Sequence, residues 1–180
     1  MSPQQVLTFW FEEHTAEDWF GGKAEFDEQV ETRFGDLVVR AGQCELFRWR
    51  ATPQGRLAEI IILDQFTRQL FRGQARAFAS DPLALGLAQE AIAAGDDLKL
   101  PDQQRLFLYM PFMHSESLAI QDQSILVFTA LGGAENLDYA KKHHALIERF
   151  GRFPKRNEAL GRDSTAEELA YMAGTGDSMF

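Results

Sequence analysis

Apolar residues recur at steps of three and four along almost the whole chain. Val6, Phe9 and Trp10 begin the pattern, and Ser2-Pro3 ahead of them supplies a capping hydroxyl and a ring suited to a first helical turn. Gly21-Gly22 breaks this region. Phe26, Val30, Phe34, Leu37 and Val38 then mark a second amphipathic helix that Gly42 can end. Residues 43–50 predict a short helix, and Thr52-Pro53 opens another, buried at the centre of the fold over 54–72. Asp81-Pro82 starts a helix with Leu83, Leu87, Ala88, Ala91 and Ile92 on one side, closed by Gly95. Pro101 starts the next, which Pro111 interrupts. Ser115 or Ser117 caps a helix running to Gly132-Gly133, and residues 135–150 form another that Gly151 stops. A one-turn helix near 155–160 follows, then a last helix over roughly 164–173, with Ser164 capping and Glu167 and Glu168 nearby. The closing "GTGDSMF" is expected to fray. No stretch alternates with period two, and no Asn-Gly or Asp-Gly turn joins strand-like runs. The expectation is a single all-α domain over 1–180, built of stacked antiparallel helical hairpins, about eight or nine helices in all.

Three polar groups break the apolar pattern. The helix "LAEIIILDQFTRQLFRG" is apolar nearly all round, which predicts burial, yet Asp64, Gln65 and Arg68 sit in its middle. Arg68 lies one turn after Asp64, at pairing distance. A buried carboxylate needs a partner, so a network joining Asp64 to an arginine is expected. Such a network either locks helix register or forms the floor of a ligand site.

In "YMPFMHSESLAIQDQS", Pro111 leaves His114 near an irregular corner. His114, Ser115 and Glu116 invite a triad reading, but consecutive helical residues point apart. Their spacing also misses the zinc-protease pattern His-Glu-x-x-His. Of the pair His143-His144, the second shares a stripe with Ala140 and Ile147 and is expected to face inward, with His143 nearer Tyr139. One cysteine, Cys44, and four histidines argue against a structural zinc site, and no metal is expected. No dinucleotide, Walker, Cys-x-x-Cys or nucleophile-elbow motif is present, so no cofactor is expected either.

Charge adds a further clue. The formal net charge is -9, which argues against nucleic acid as a partner. The short apolar runs argue against a membrane span, and the lone thiol and lack of a leader point to the cytoplasm. Residues 48–76 nevertheless carry +4 and residues 141–162 carry +5. The second segment contains "RFGRFPKRN", with Arg149, Arg152, Lys155 and Arg156 beside Phe150 and Phe153. Gly151 and Pro154 predict a rigid turn there. It should aim at least one of Arg152, Lys155 and Arg156 towards the 54–72 helix or the His114 corner, to meet the protein's own acids or a bound anion.

Together, "LDQFTRQLFRG", "LYMPFMHSES" and "RFGRFPKRNEALGRDSTAEE" resemble the bacterial domain-of-unknown-function family 924, which belongs to the tetratricopeptide-like helical superfamily. The full 34-residue repeat pattern of tetratricopeptide proteins is itself absent. The resemblance implies recurring polar positions at Asp64, Gln65, Arg68, Arg72, His114, Ser115, Glu116 and Gln121. It extends them to His144, Arg149, Arg152, Arg156, Asn157 and Arg162. Lys155 stands where many relatives carry His, so a cation and not an imidazole is implied there. Three functions fit these residues. A binding module would hold a peptide or small anionic ligand through Arg68, Arg72, Gln121, Arg149, Arg152, Lys155, Arg156 and Asn157. A hydrolase would use His114 or His144 as base, with Asp64 or Glu116 orienting it. A purely structural protein would use the same residues to hold helices together. The aromatic stretch Phe9, Trp10, Phe11, Trp19 and Phe20 fits either a core or an interface between copies.

Overall fold

A computed structural model describes residues 1–175, and among them every regular element is helical. The helices are α1 (Pro3–Thr8), α2 (Ala16–Trp19), α3 (Ala24–Gly42), α4 (Pro53–Ile61), α5 (Thr67–Leu70), α6 (Asp81–Ala93), α7 (Asp102–Met113), α8 (Leu118–Leu131), α9 (Ala134–Phe150) and α10 (Ala166–Thr175). A reciprocal capping box of Ser2 and Gln5 opens α1, and Thr52 caps α4 through Gly55 N–H. Helices α6 to α9 pack each on the next. The connections at 114–117 and 132–133 are too short to cross the bundle, so α7, α8 and α9 must alternate in direction.

The core centres on α4 and its continuation. Leu57, Ala58, Ile60, Ile61, Ile62, Leu63 and Phe66 are all fully buried. Helices α1, α6 and α7 pack on α4, while α3 covers the segment after it. The N-terminal aromatics belong to this core. Phe9 and Trp10 are fully buried, and Trp10 stacks on Trp19 with centroids 5.4 Å apart. Phe20 alone of the five is half exposed.

The structure corrects the sequence reading in several places. The helix expected over 54–72 is not uniform: Ile62–Phe66 forms a π-helical turn between α4 and α5. The extra residue in such a turn rotates the helix beyond it, and this one falls on the polar motif. Pro111 does not interrupt α7, which continues to Met113. Its carbonyl end is closed from outside: Gln121 Nε2 donates to Met113 O at 2.8 Å and to Ser115 O at 2.7 Å. Residues 43–50 form turns leading into a 3₁₀ helix over Phe47–Ala51, not a short α-helix. Thr165, rather than Ser164, caps α10: Thr165 Oγ1 accepts from Glu168 N–H, and Glu168 accepts from Thr165 N–H at 2.7 Å. Gly174 and Thr175, expected to fray, are helical, and the rest of the segment expected to fray, 176–180, lies outside the described residues.

Gly151 ends α9 in the left-handed region, at φ 70°. A Cβ there would meet nothing within 4 Å, so only backbone strain resists one. Gly151→Ala should cost about 1–2 kcal/mol of unfolding free energy, read from urea midpoints; a neutral result would show that the turn relaxes.

Candidate functional site

The π-helical turn places Asp64 at the centre of a polar cluster inside an apolar core. Its carboxylate is 1% exposed. Gln65 Nε2 donates to Oδ2 at 2.6 Å. His114, at the end of α7, brings Nδ1 to 2.7 Å from Oδ1. Arg68, one turn on, sits 3.3 Å from Oδ1 and also donates to the Asp64 backbone carbonyl. The expected network is therefore present, and it includes a histidine as well as an arginine.

Arg68 carries the network outward. Its two terminal nitrogens grip Asp81 at the start of α6, at 2.9 and 3.0 Å. Arg156 reaches the same carboxylate from the 3₁₀ turn Pro154–Arg156, at 3.1 Å. Its guanidinium lies between the rings of Phe78 and Phe153, 4.6 and 4.5 Å from their centroids. His143 closes the group from α9, with its ring 6.1 Å from that of His114 and 5.5 Å from that of Phe153. Its Nδ1 donates to Tyr139 O at 2.8 Å. Asp64 is sealed, but the side chains of Arg68, Asp81, His114 and Arg156 keep 14–20% exposure, so the outer rim meets solvent.

Charge states follow from this packing. Burial opposes ionisation of Asp64, but Arg68, His114 and Gln65 together hold its carboxyl well below the usual range. Burial lowers the His114 imidazole, aided by Arg68 and opposed by Asp64, so the ring is neutral at neutral pH. Burial and the nearby His114 lower His143 further, to about 3. Burial and Arg68 lower Arg156 to about 10, with Asp81 pulling the other way. A neutral His114 beside a carboxylate must carry its proton on Nδ1, because a carboxylate only accepts. Nε2 is then a lone-pair acceptor, and among the described residues it makes no hydrogen bond.

The other candidate residues lie elsewhere. Glu116 accepts from Arg162 at 2.6 and 2.9 Å and from Phe153 N–H at 2.8 Å. Arg162 and the Phe153 amide hold it below the usual carboxylate range against its partial burial. Its partners thus lie in the 149–162 segment, and Asp64 is the carboxylate that meets His114. Arg152 forks onto Glu168 at 2.6 and 2.8 Å, and Asn157 joins Ser164, Glu168 and Arg162. Arg149 pairs with Glu167 on the surface, and Arg72 with Asp27 of α3. Lys155 is half-buried in the 3₁₀ turn. Gln121 serves the end of α7.

The expected orientation of the histidine pair is reversed. His143 is buried with Ala140 and Ile147, whereas His144 bonds Asp122 at 2.9 Å in a shallow groove between α8 and α9. Residues 140, 143 and 147 form the inward stripe, because α9 presents that edge to α7 and α8. Asp81, Phe78 and His143 are the site residues that sequence reasoning missed. Asp81 reads locally as a helix start; nothing nearby marks a partner 75 residues downstream.

The profile of a family of bacterial proteins of unknown function, DUF924, matches residues 6–176. The chain belongs to DUF924. A protein of unknown function from Agrobacterium tumefaciens has a solved structure similar to this one, with a TM-score of 0.91 and 38% sequence identity. The match covers 96% of this chain and 97% of that one. No curated protein matches the chain. DUF924 membership thus spans every element that builds the cluster, from the π-helical turn to α10. No described helix is long and apolar enough to cross a membrane. Among the described residues, no group of three or more His, Cys, Asp or Glu could hold a metal ion.

Proposed function

We propose that the cluster around Asp64 is a binding site for a small anionic ligand, seated on Arg156 beside His114. One observation carries this reading. Arg156 is fixed between Phe78 and Phe153 and spends one nitrogen on Asp81, while its other donors make no hydrogen bond among the described residues. Flanking rings orient a guanidinium while leaving its edge available, and that edge matches a carboxylate or phosphate. An anion there would also offset the cost of burial and the Arg68 repulsion that depress Arg156. Arg68 plays a different part, because both its terminal nitrogens are engaged in propping Asp81 and Asp64. Arg149, Arg152 and Asn157, bound to the protein's own acids, are read as structural. The setting is read as cytoplasmic, on the single thiol of Cys44.

Mass action supplies the test. Millimolar phosphate or malate should raise the melting temperature above that in sodium chloride of equal ionic strength. Arg156→Gln should fold, since Asp81 keeps both bonds to Arg68, and should lose that rise. An equal rise in both proteins, or none in the wild type, would overturn the reading.

A further inference from the structure

Resting on that anion site, we propose that its ligand is a small hydroxy acid, whose anionic group meets Arg156 and whose hydroxyl donates to His114 Nε2. The Nδ1–H of His114 is committed to Asp64. The groups facing it from the neighbouring elements are Asp64, Arg68 and Asp81, with His143 across from its ring. None supplies a proton to Nε2. Arg68 donates to Asp64 and Asp81, His143 donates through Nδ1 to Tyr139 O, and the two carboxylates only accept. The imidazole is therefore an oriented acceptor whose lone pair meets no donor among the described residues. Its side chain is 14% exposed, so the ring is not sealed in the core.

A ligand that satisfies both Arg156 and His114 needs an anion and a hydrogen-bond donor on one small frame. A plain carboxylate or a fully ionised phosphate monoester serves only the first. A site with a partly buried acceptor discriminates against an analogue lacking the matching hydroxyl, because the acceptor loses water without regaining a partner. The anionic group can be carboxylate or phosphate, and both suit a guanidinium edge. The hydroxyl is the distinguishing feature.

Calorimetry on the full chain with pairs differing by one hydroxyl tests this. Malate is compared with succinate, and glycerol 3-phosphate with propyl phosphate. At neutral pH at least one hydroxylated member should bind about tenfold or more tighter than its partner. The pair showing the preference identifies the anionic group. His114→Phe should keep anion binding and erase the preference. If that variant does not fold, the wild type at lower pH replaces it, because a protonated Nε2 donates and the preference for the hydroxylated member should shrink. Equal binding within both pairs would overturn the hydroxy-acid inference and leave the anion site standing. No binding by any of the four would overturn the anion site itself. A preference unchanged in His114→Phe would assign the hydroxyl to another residue and also overturn the inference.

Discussion

Replacing Asp64 by alanine should lower the free energy of unfolding by about 3–5 kcal/mol. Three groups lose a partner at once: Gln65 and His114 lose hydrogen bonds, and Arg68 loses one of its two carboxylates. The cost arises because the site is closed. Water cannot replace a carboxylate that is 1% exposed, so the donors left behind stay desolvated. Glu45→Ala makes a useful contrast. Its partner Arg40 is 52% exposed and Glu45 itself 48%, so that loss should stay within about 1 kcal/mol. Asp64→Asn keeps the shape and one acceptor, and it should fall between the two. Urea titration of the three variants measures all of this. A loss below about 1 kcal/mol for Asp64→Ala would mean that the network is dispensable to the fold.

Stability should fall steeply as the solution is acidified from neutral pH. The folded protein keeps His143 neutral down to about 3, whereas the unfolded chain protonates it near its ordinary value of 6.5. Between those values the unfolded state binds more protons, so stability rises with pH and is lost as pH falls. One such site changes the unfolding free energy by about 1.4 kcal/mol per pH unit across that window. His114 is lowered as well and acts in the same direction. Asp64, held below its ordinary 3.8, extends the loss at the acid end, where the unfolded carboxyl protonates first. Urea midpoints from pH 7 to pH 4.5 should therefore show a marked decline. His143→Gln should reduce its slope. A wild-type stability flat across this range would show that the buried imidazoles can charge at little cost.

The polar motifs were legible to different depths. Asp64 and Arg68 share one helix, so the apolar run around them was enough to foretell burial and pairing. His114 could be marked as a corner residue, because Pro111 and the Ser-rich segment after it are local signals. Its partner Asp64 lies 50 residues away, and the choice between Asp64 and Glu116 had no local sign. The basic stretch 149–157 behaved similarly. Gly151 and Pro154 announced a rigid turn, and one cation of that turn, Arg156, reaches Asp81, the carboxylate that Arg68 of the central helix also grips. Which cation does so is set by the exit of the chain from α9: Arg156 turns in over Phe78, while Arg152 turns out to Glu168 of α10. The histidine pair was misassigned because residues 143 and 144 both lie three or four positions from Ala140 and Ile147, and a small rotation of α9 decides which one is covered.

By itself, the sequence determined an all-helical chain, the near positions of its helix ends, a buried central helix and the presence of polar groups within it. These follow from interactions within a few residues: apolar spacing, caps, and glycines or prolines that stop a turn. Tertiary structure alone decided that the π-helical turn falls on Ile62–Phe66, that Asp81 ties Arg68 to Arg156, and that His114 rather than His144 meets the buried carboxylate. Those outcomes depend on how helices far apart in sequence rotate and slide to fill one core. A π-helical turn is kept only where packing on both sides suits the extra residue. An ion pair between distant segments forms only where that packing brings the side chains within reach and excludes the water that would otherwise solvate them.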